Sequence, residues 1–468
     1  MARAGRKPTE FFRPDFRDYI IDEMFDGDFK KCRLSENNRE QFEKLSWEYF
    51  DDQPLIENRE IAKRMGVESP STMPKEELLR HMIAERWGMQ YLANNGVLLS
   101  PVDMSLLDAK DEMELIEDNV HGDVVMGEYF EGTFDGNECG GVLRVNRFTK
   151  SMGDVGVIRR LVNYHGIKAG DYVSGWGRYV PSVNFFCLFC IDKVNGTQVG
   201  LPSDKNITPR KRQRDGEYEK YLAYRENLIK VAPTERLNFS GTYQSVALLV
   251  GTITPIALGQ SLIVSSENKF NPISALFELS NAIDDTGVVD EVITLCLEEP
   301  IEQPDICGSV VVTMPDDSLD SPNVVERARG YAVSQAKSGR KTVILLNSLA
   351  RTGSEINAKK LLSSAVRYEN GGSVTIIAFA DSDDKGSYYY GVRHLVSAEL
   401  KIVTRPFMED YSVSLQESHS DLSILTETDI AVRKKLADMA DKKGNGYVTS
   451  FVLKSKNYDD FVKRILAK

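Results

Sequence analysis

The rhythm of apolar and polar positions changes along the chain. In LIENREIAKRMGVESPSTMPKEELLRHMI, Leu55 to Ile83, residues Ile61, Ala62 and Met65 recur at helical spacing. Gly66 ends that helix. Ser71 and Thr72 with Pro74, Glu76 and Glu77 start another toward Leu78, Leu79 and Met82, which predicts a compact helix-turn-helix unit. From about Asp123 to Gly196 short strands are split by Gly-rich turns, and Val142 to Val145, Tyr172 to Gly175 and Phe185 to Ile191 predict a small barrel. After Pro233 come continuous apolar runs at Leu262 to Ser265, Val292 to Leu297, Thr342 to Leu346 and Val374 to Phe379, the pattern of parallel strands covered on both faces. Helices are expected near Ser274 to Ile283, Asn323 to Ala336 and Ala358 to Tyr368. Such an α/β domain holds its ligands at the strand-to-helix turns.

These shifts divide the chain into an acidic, aromatic extension (1–50), the helical unit (51–90), a connector (91–122), the barrel (123–200), a basic linker (201–232) and the α/β domain (233–468). A length of 468 residues suits several domains, and 41% apolar with 27% charged residues is an ordinary globular composition. With 58 basic and 70 acidic residues, the net charge of −12 argues against coating nucleic acid by bulk charge and leaves room for local basic patches. The linker is one such run, with Lys205, Arg210, Lys211, Arg212 and Arg214 and no acid among them. Six cysteines are too few for a disulfide framework, and the first thirty residues lack the apolar stretch of a secretory leader, so a reducing, cytoplasmic location is expected. Tyr243 to Ser266 is uncharged, but Gly251, Pro255 and Gly259 interrupt it, which predicts strand, turn, strand and no membrane span. Cys187 and Cys190 are spaced like a metal pair. On a strand they point to opposite faces with no second pair nearby, so no metal site is expected.

Several strings, in order, resemble the bacterial transcription termination factor Rho family from about residue 55 onward. They are EIAKRMGV with PKEELL in the helical unit, HGIKAGDYVSG and NFFCLFCIDKVNG in the barrel, RENLIKVAPTERL from the end of the basic linker into the α/β domain, then TPIALGQSLIV, VILLNSLAR and ENGGSVTIIA in the α/β domain. The resemblance implies a multidomain chain: a small N-terminal all-α module, an OB-fold β-barrel and a C-terminal RecA-like α/β domain with a mainly parallel sheet. In that family a homohexameric ring binds nascent RNA and uses ATP to move along it and release RNA polymerase.

A phosphate loop needs glycines, a lysine for the β/γ charge and a Ser/Thr for Mg²⁺. After Leu262 to Val264, where the family places GK[ST], this chain reads Ser265-Ser266-Glu267-Asn268-Lys269-Phe270-Asn271-Pro272, with no glycine between Gln260 and Gly287. Asn268, Lys269 and Asn271 are the degenerate counterparts of the loop, and Lys269 with Ser274 is the one route to a compensated site. Asn347 stands where the family has the Walker B aspartate, and Arg351 is in register beyond it. Glu298 matches the family's catalytic glutamate and is read as vestigial. Eight acids and no base lie between Asp284 and Asp305, a poor setting for a polyanion. No cofactor is therefore expected, and ATP with Mg²⁺ only if the divergent loop works.

OB-fold recognition of single strands combines aromatic platforms with cations. At the family's Gly-aromatic-Gly-aromatic-Leu-Arg turn this chain has Cys139-Gly140-Gly141-Val142-Leu143-Arg144, so both rings are missing. Arg144 is in register and Phe185 matches a ring of the binding face, with a barrel-core position as its alternative. Tyr164 and Lys168, near Arg147, Lys150, Arg159 and Arg160, make the region locally basic, and Arg393 falls near a channel-loop lysine of the family. The expected role is a non-hydrolysing regulator or assembly partner in termination. Its expected partners are single-stranded RNA (weakly), itself or a Rho ring, and the RNA polymerase complex. An active ATP-dependent RNA translocase and a motor-less RNA-binding protein are the alternatives.

Overall fold

The computed structural model describes residues 16–26, 36–64, 67, 69–95, 128–151, 153–180, 185–199, 216–237, 239, 246–267, 270, 272–298, 309–313, 320–404 and 411–467. Helices α1 (Phe16–Phe25), α2 (Arg39–Asp51), α3 (Leu55–Arg64) and α4 (Lys75–Asn95) share one apolar cluster that contains Ile20, Phe42, Phe50, Ala62, Leu79 and Trp87. The aromatic residues before position 51 thus pack onto the helix pair that follows. Phe42 lies 5.3 Å from the Trp87 ring, and Asn58 Nδ2 donates to the Phe50 carbonyl at 2.8 Å.

Next in the chain are β1 (Glu128–Asn137), β2 (Gly140–Arg144), β3 (Val155–Ile158), α5 (Arg159–His165), β4 (Tyr172–Val180), β5 (Phe185–Val194) and β6 (Thr197–Gln198). The strand order is β3-β2-β1-β4-β5-β6, and parallel pairing of β3 with β5 closes the sheet on itself. Residues of alternate direction, among them Phe134, Leu143, Val157 and Leu188, fill the interior.

The remaining elements are α6 (Gly216–Glu226), β7 (Lys230–Val231), α7 (Val246–Ile253), β8 (Ser261–Glu267), α8 (Pro272–Asp284), β9 (Glu291–Leu297), β10 (Ser309–Thr313), α9 (Ser321–Lys337), β11 (Lys341–Leu346), α10 (Glu355–Leu362), β12 (Val366–Tyr368), β13 (Ser373–Asp381), α11 (Tyr389–Val392), β14 (Ala398–Thr404), β15 (Tyr411–Val413), α12 (Glu427–Lys443), α13 (Asn445–Leu453) and α14 (Tyr458–Leu466). Strands run in the order β10-β9-β11-β13-β8-β14-β15, parallel from β10 to β14. One face of the sheet packs on α7, α8 and α12 to α14, the other on α9 to α11. From β8 the chain crosses on the first face toward β9; from β13 it crosses on the second face toward β14. β8 and β13 are neighbours, so the topological switch point, where such sheets hold ligands, lies between their C-terminal ends.

Two expectations are corrected. Val246 to Ile253 is helix α7, not a strand, because a short, uniformly apolar run carries no period to tell the two apart. The helix expected over Ala358 to Tyr368 ends at Leu362, and Val366–Tyr368 becomes strand β12, paired with β13 and β7.

The C-terminal helices are tied to the start of the domain by Asp429 on α12. Arg236 Nη1 donates to both of its oxygens at 2.8 and 2.9 Å, and the Tyr458 hydroxyl on α14 donates as well. Burial pushes the Asp429 carboxyl up, but hydrogen bonds from Tyr458, Arg236 and Thr426 outweigh it and hold the group at about 2. A carboxyl lowered in the folded state stabilises above its unfolded value near 4, and that contribution fades as pH falls toward 2. Asp429→Asn should therefore lower the unfolding free energy at pH 7 by about 1–3 kcal/mol. It should also flatten the loss of thermal stability between about pH 4 and 2; calorimetry across that range checks both.

Candidate functional site: a closed strand-end crevice

At the C-terminal ends of β8 and β13 polar groups of the protein bond to one another. The backbone N–H and the hydroxyl of Ser382, just past β13, both donate to the Ser266 carbonyl at 2.8 Å. Lys401, buried on β14, reaches across β8. Its ammonium donates to Ser382 Oγ at 2.5 Å and pairs with Glu267 at 3.0 Å. The Thr404 hydroxyl donates to the Glu267 carbonyl at 2.5 Å. Beside this ladder Glu399, wholly buried, accepts from Ser265 Oγ at 2.8 Å and from the Tyr389 hydroxyl, and pairs with Arg393 at 3.2 Å. Burial, reinforced by that hydrogen bond to Glu399, pushes the Tyr389 phenol up. In register the β14 carboxylate and ammonium fall opposite Ile263 and Ser265, so both project on the α9–α11 face.

On the opposite face lies Phe270, packed against the apolar cluster beneath α7 and α8. Its ring stacks on Phe379 at 6.2 Å and meets Tyr411 edge-on at 5.7 Å. Half-buried Glu278, one face of α8 away from solvent, has its carboxyl raised by burial and adds an acid near Tyr411. The neighbouring loop positions Asn268, Lys269 and Asn271 lie outside the described residues.

At the ends of β9 and β11 the vestigial Glu298 and the degenerate nucleotide-site residues Asn347 and Arg351 are also engaged. Asn347 is buried and completes the ladder between the strands: its Nδ2 donates to the Leu297 carbonyl at 2.9 Å and its Oδ1 accepts from the Leu297 N–H at 3.2 Å. An ionised aspartate accepts but cannot donate. Asparagine at this place therefore bridges the Leu297 N–H and carbonyl together, which an ionised aspartate could not do. Glu298, in the left-handed region at φ 59°, forms an ion pair with Arg351 from the 3-10 turn Leu349–Thr352. Those two residues neutralise each other.

The residues expected to meet RNA are distributed differently. Arg144 donates to Asp135 at 2.9 and 2.7 Å and to Asp154 at 2.5 Å, and only 12% of its side chain is exposed. Asp135 also accepts from Arg327 of α9 at 2.7 Å. Burial pushes the Asp135 carboxyl up, and the two guanidiniums outweigh it and hold it below the usual range. Phe185 is a barrel-core ring, the core position weighed as its alternative. Lys168 pairs in solvent with Glu226 at 2.9 Å, and Tyr164 lies edge-on to His165 at 4.8 Å. Arg147 pairs with Glu291 at 2.8 Å and Lys150 with Asp320 at 3.4 Å. Arg393 belongs to the Glu399 cluster and lies 5.2 Å over the Tyr389 ring. Cys187 and Cys190 are buried, and among the described residues no group of three His, Cys, Asp or Glu could hold a metal ion.

Glu399 and Lys401 were not singled out from sequence. Their signal was present: two charges at alternate positions in an otherwise apolar run, AELKIV, on a strand covered on both faces.

A closed barrel followed by a doubly wound, mainly parallel sheet is the architecture, and the sequence comparisons narrow the kind. No family model matches the chain. It is similar to proteins described as transcription termination factor Rho. The one from Mycobacterium bovis is 24% identical over 402 residues, covering 76% of this chain and 63% of the relative. That from Aquifex aeolicus is 24% identical over 378 residues, covering 74% and 76%, and that from Mycobacterium leprae 26% over 274 residues, covering 51% and 42%. The chain thus spans less than two thirds of the length of the mycobacterial relatives. Among solved structures, an ATPase of a type III secretion system of pathogenic bacteria matches 52% of this chain and 88% of its own, at 14% identity and a TM-score of 0.40. No helix among the described residues is long and apolar enough to cross a membrane.

Glu399→Ala strands the Ser265 and Tyr389 hydroxyls and the Arg393 guanidinium. It should lower the unfolding free energy by about 2–3 kcal/mol, less than for a fully buried ion pair because Arg393 can turn to water. Glu399→Gln, which keeps an acceptor, should cost less; urea midpoints for the two variants check the order.

Proposed function

We propose that this chain is a Rho-like protein of transcription termination that does not hydrolyse ATP and acts as a regulator or assembly partner. In this reading the helical unit, the barrel and the sheet correspond to the family's N-terminal module, OB-fold and RecA-like domain, and the chain works in the cytoplasm. The observation that carries it is the closed crevice. Ser382, Lys401 and Glu267 bond to one another where phosphates would need unengaged donors, and Glu298 is neutralised by Arg351. Each charge-assisted hydrogen bond that a nucleotide forgoes is worth about 1.5–3 kcal/mol, so several lost together remove micromolar affinity. The sequence similarity to Rho proteins supports the biological setting. Its partners in this reading are a second copy of the chain or a Rho ring, the polymerase complex and, through weak and salt-sensitive contacts, single-stranded RNA.

Binding of a fluorescent ATP analogue with Mg²⁺, and ATP turnover with and without single-stranded RNA, test it. The expected outcome is no saturable binding up to about 1 mM nucleotide, equivalent to less than about 4 kcal/mol, and no RNA-stimulated turnover. Hydrolysis that RNA stimulates and Lys269→Ala abolishes would overturn the reading in favour of a working translocase.

A further inference from the structure

The barrel meets the α/β domain along α9, and the contact is built like a core. Phe148, from the barrel turn after β2, is fully buried in the same apolar cluster as Ile293, Leu295, Val324 and Tyr331, and lies 5.4 Å from the Tyr331 ring. Arg327 spans the seam, donating to the Asp135 carboxylate at 2.7 Å, to the Phe148 carbonyl at 2.8 Å and to Asp320 at 3.0 Å. A turn further along α9 the two backbones touch. Gly170 has φ +90°, and a Cβ placed there would lie 2.1 Å from the Gly330 carbonyl carbon.

Beyond the glycines, wholly buried Asp171 of the barrel accepts from Arg225 of α6 at 2.6 Å and from Ser334 of α9 at 2.5 Å. Asn195 continues the network, accepting from Gln335 at 2.9 Å. Contacts between domains of one chain are ordinarily polar and permit relative motion. Here an aromatic side chain is shared, backbone meets backbone without side chains between, and buried charges are paired from three elements. Each of those is a property of a domain interior.

We propose that α9 fuses the barrel, α6 and the parallel sheet into one cooperative body, with the barrel turn 144–150 serving as a socket for the α/β domain. The barrel in this protein does not swing on its linker; it opens only when the sheet opens. The proposal stands on the seam alone and does not depend on what the chain binds.

Native-state hydrogen exchange of the full chain in sub-denaturing guanidinium, read by mass spectrometry, tests it. Peptides from β1 and β4 and peptides from α9 and β11 should follow one opening isotherm. Arg327→Met should then accelerate exchange in both sets by the same factor, roughly tenfold or more, since it leaves Asp135 with one partner in place of two. Should that variant not fold, Ser334→Ala serves with a smaller common factor, and the wild-type isotherms decide unaided. Barrel peptides that open on a separate, lower isotherm overturn the proposal. So does a variant effect confined to the barrel.

Discussion

The carbonyl of Ser266 has to be satisfied, and almost everything at the ligand end of the sheet follows from how that is done. Strands of a parallel sheet stop with polar backbone groups pointing into the crevice beyond them, and a buried group left without a partner costs about 1–3 kcal/mol. Folds of this kind commonly leave the task to a loop and its ligand. This protein uses Ser382 for the carbonyl, and Lys401 and Thr404 for the residue after it.

The same economy governs the cations of the barrel. Arg144, Arg147, Lys150 and Lys168 make the region basic in sequence, yet each faces a carboxylate of this chain: Asp135 and Asp154, Glu291, Asp320, Glu226. Exposed pairs such as Lys168 with Glu226 contribute little to stability, because water and salt screen them, and exchange readily with a polyanion. The Arg144 group is different, because its partners are largely buried and Asp135 is held from two sides. The net charge of −12 therefore includes many positive groups already matched at short range.

Much of the architecture could be read from local pattern. The four apolar runs lie within β8, β9, β11 and β13, and the barrel strands follow the Gly-rich turns. What escaped was set by distant partners. α7 has no clear amphipathic period because nearly all of its residues are buried, and β12 becomes a strand because β7 and β13 are there to pair with it. At the site, sequence singled out Glu298, Asn347 and Arg351 but not what they would do. Whether a glutamate orients water or neutralises an arginine depends on a residue 53 positions away. Asp135 and Arg327 are 192 positions apart, and no spacing rule links them.

Gly170 and Gly330 touch, and the order in which a ribosome delivers them matters. At about 5–20 residues per second, synthesis of the intervening chain takes roughly 10 to 30 s. Throughout that interval Phe148 and Asp171 belong to a barrel whose counterpart has not been made. A nascent chain of this protein thus carries an apolar ring and a carboxylate without their α/β-domain counterparts until α9 emerges.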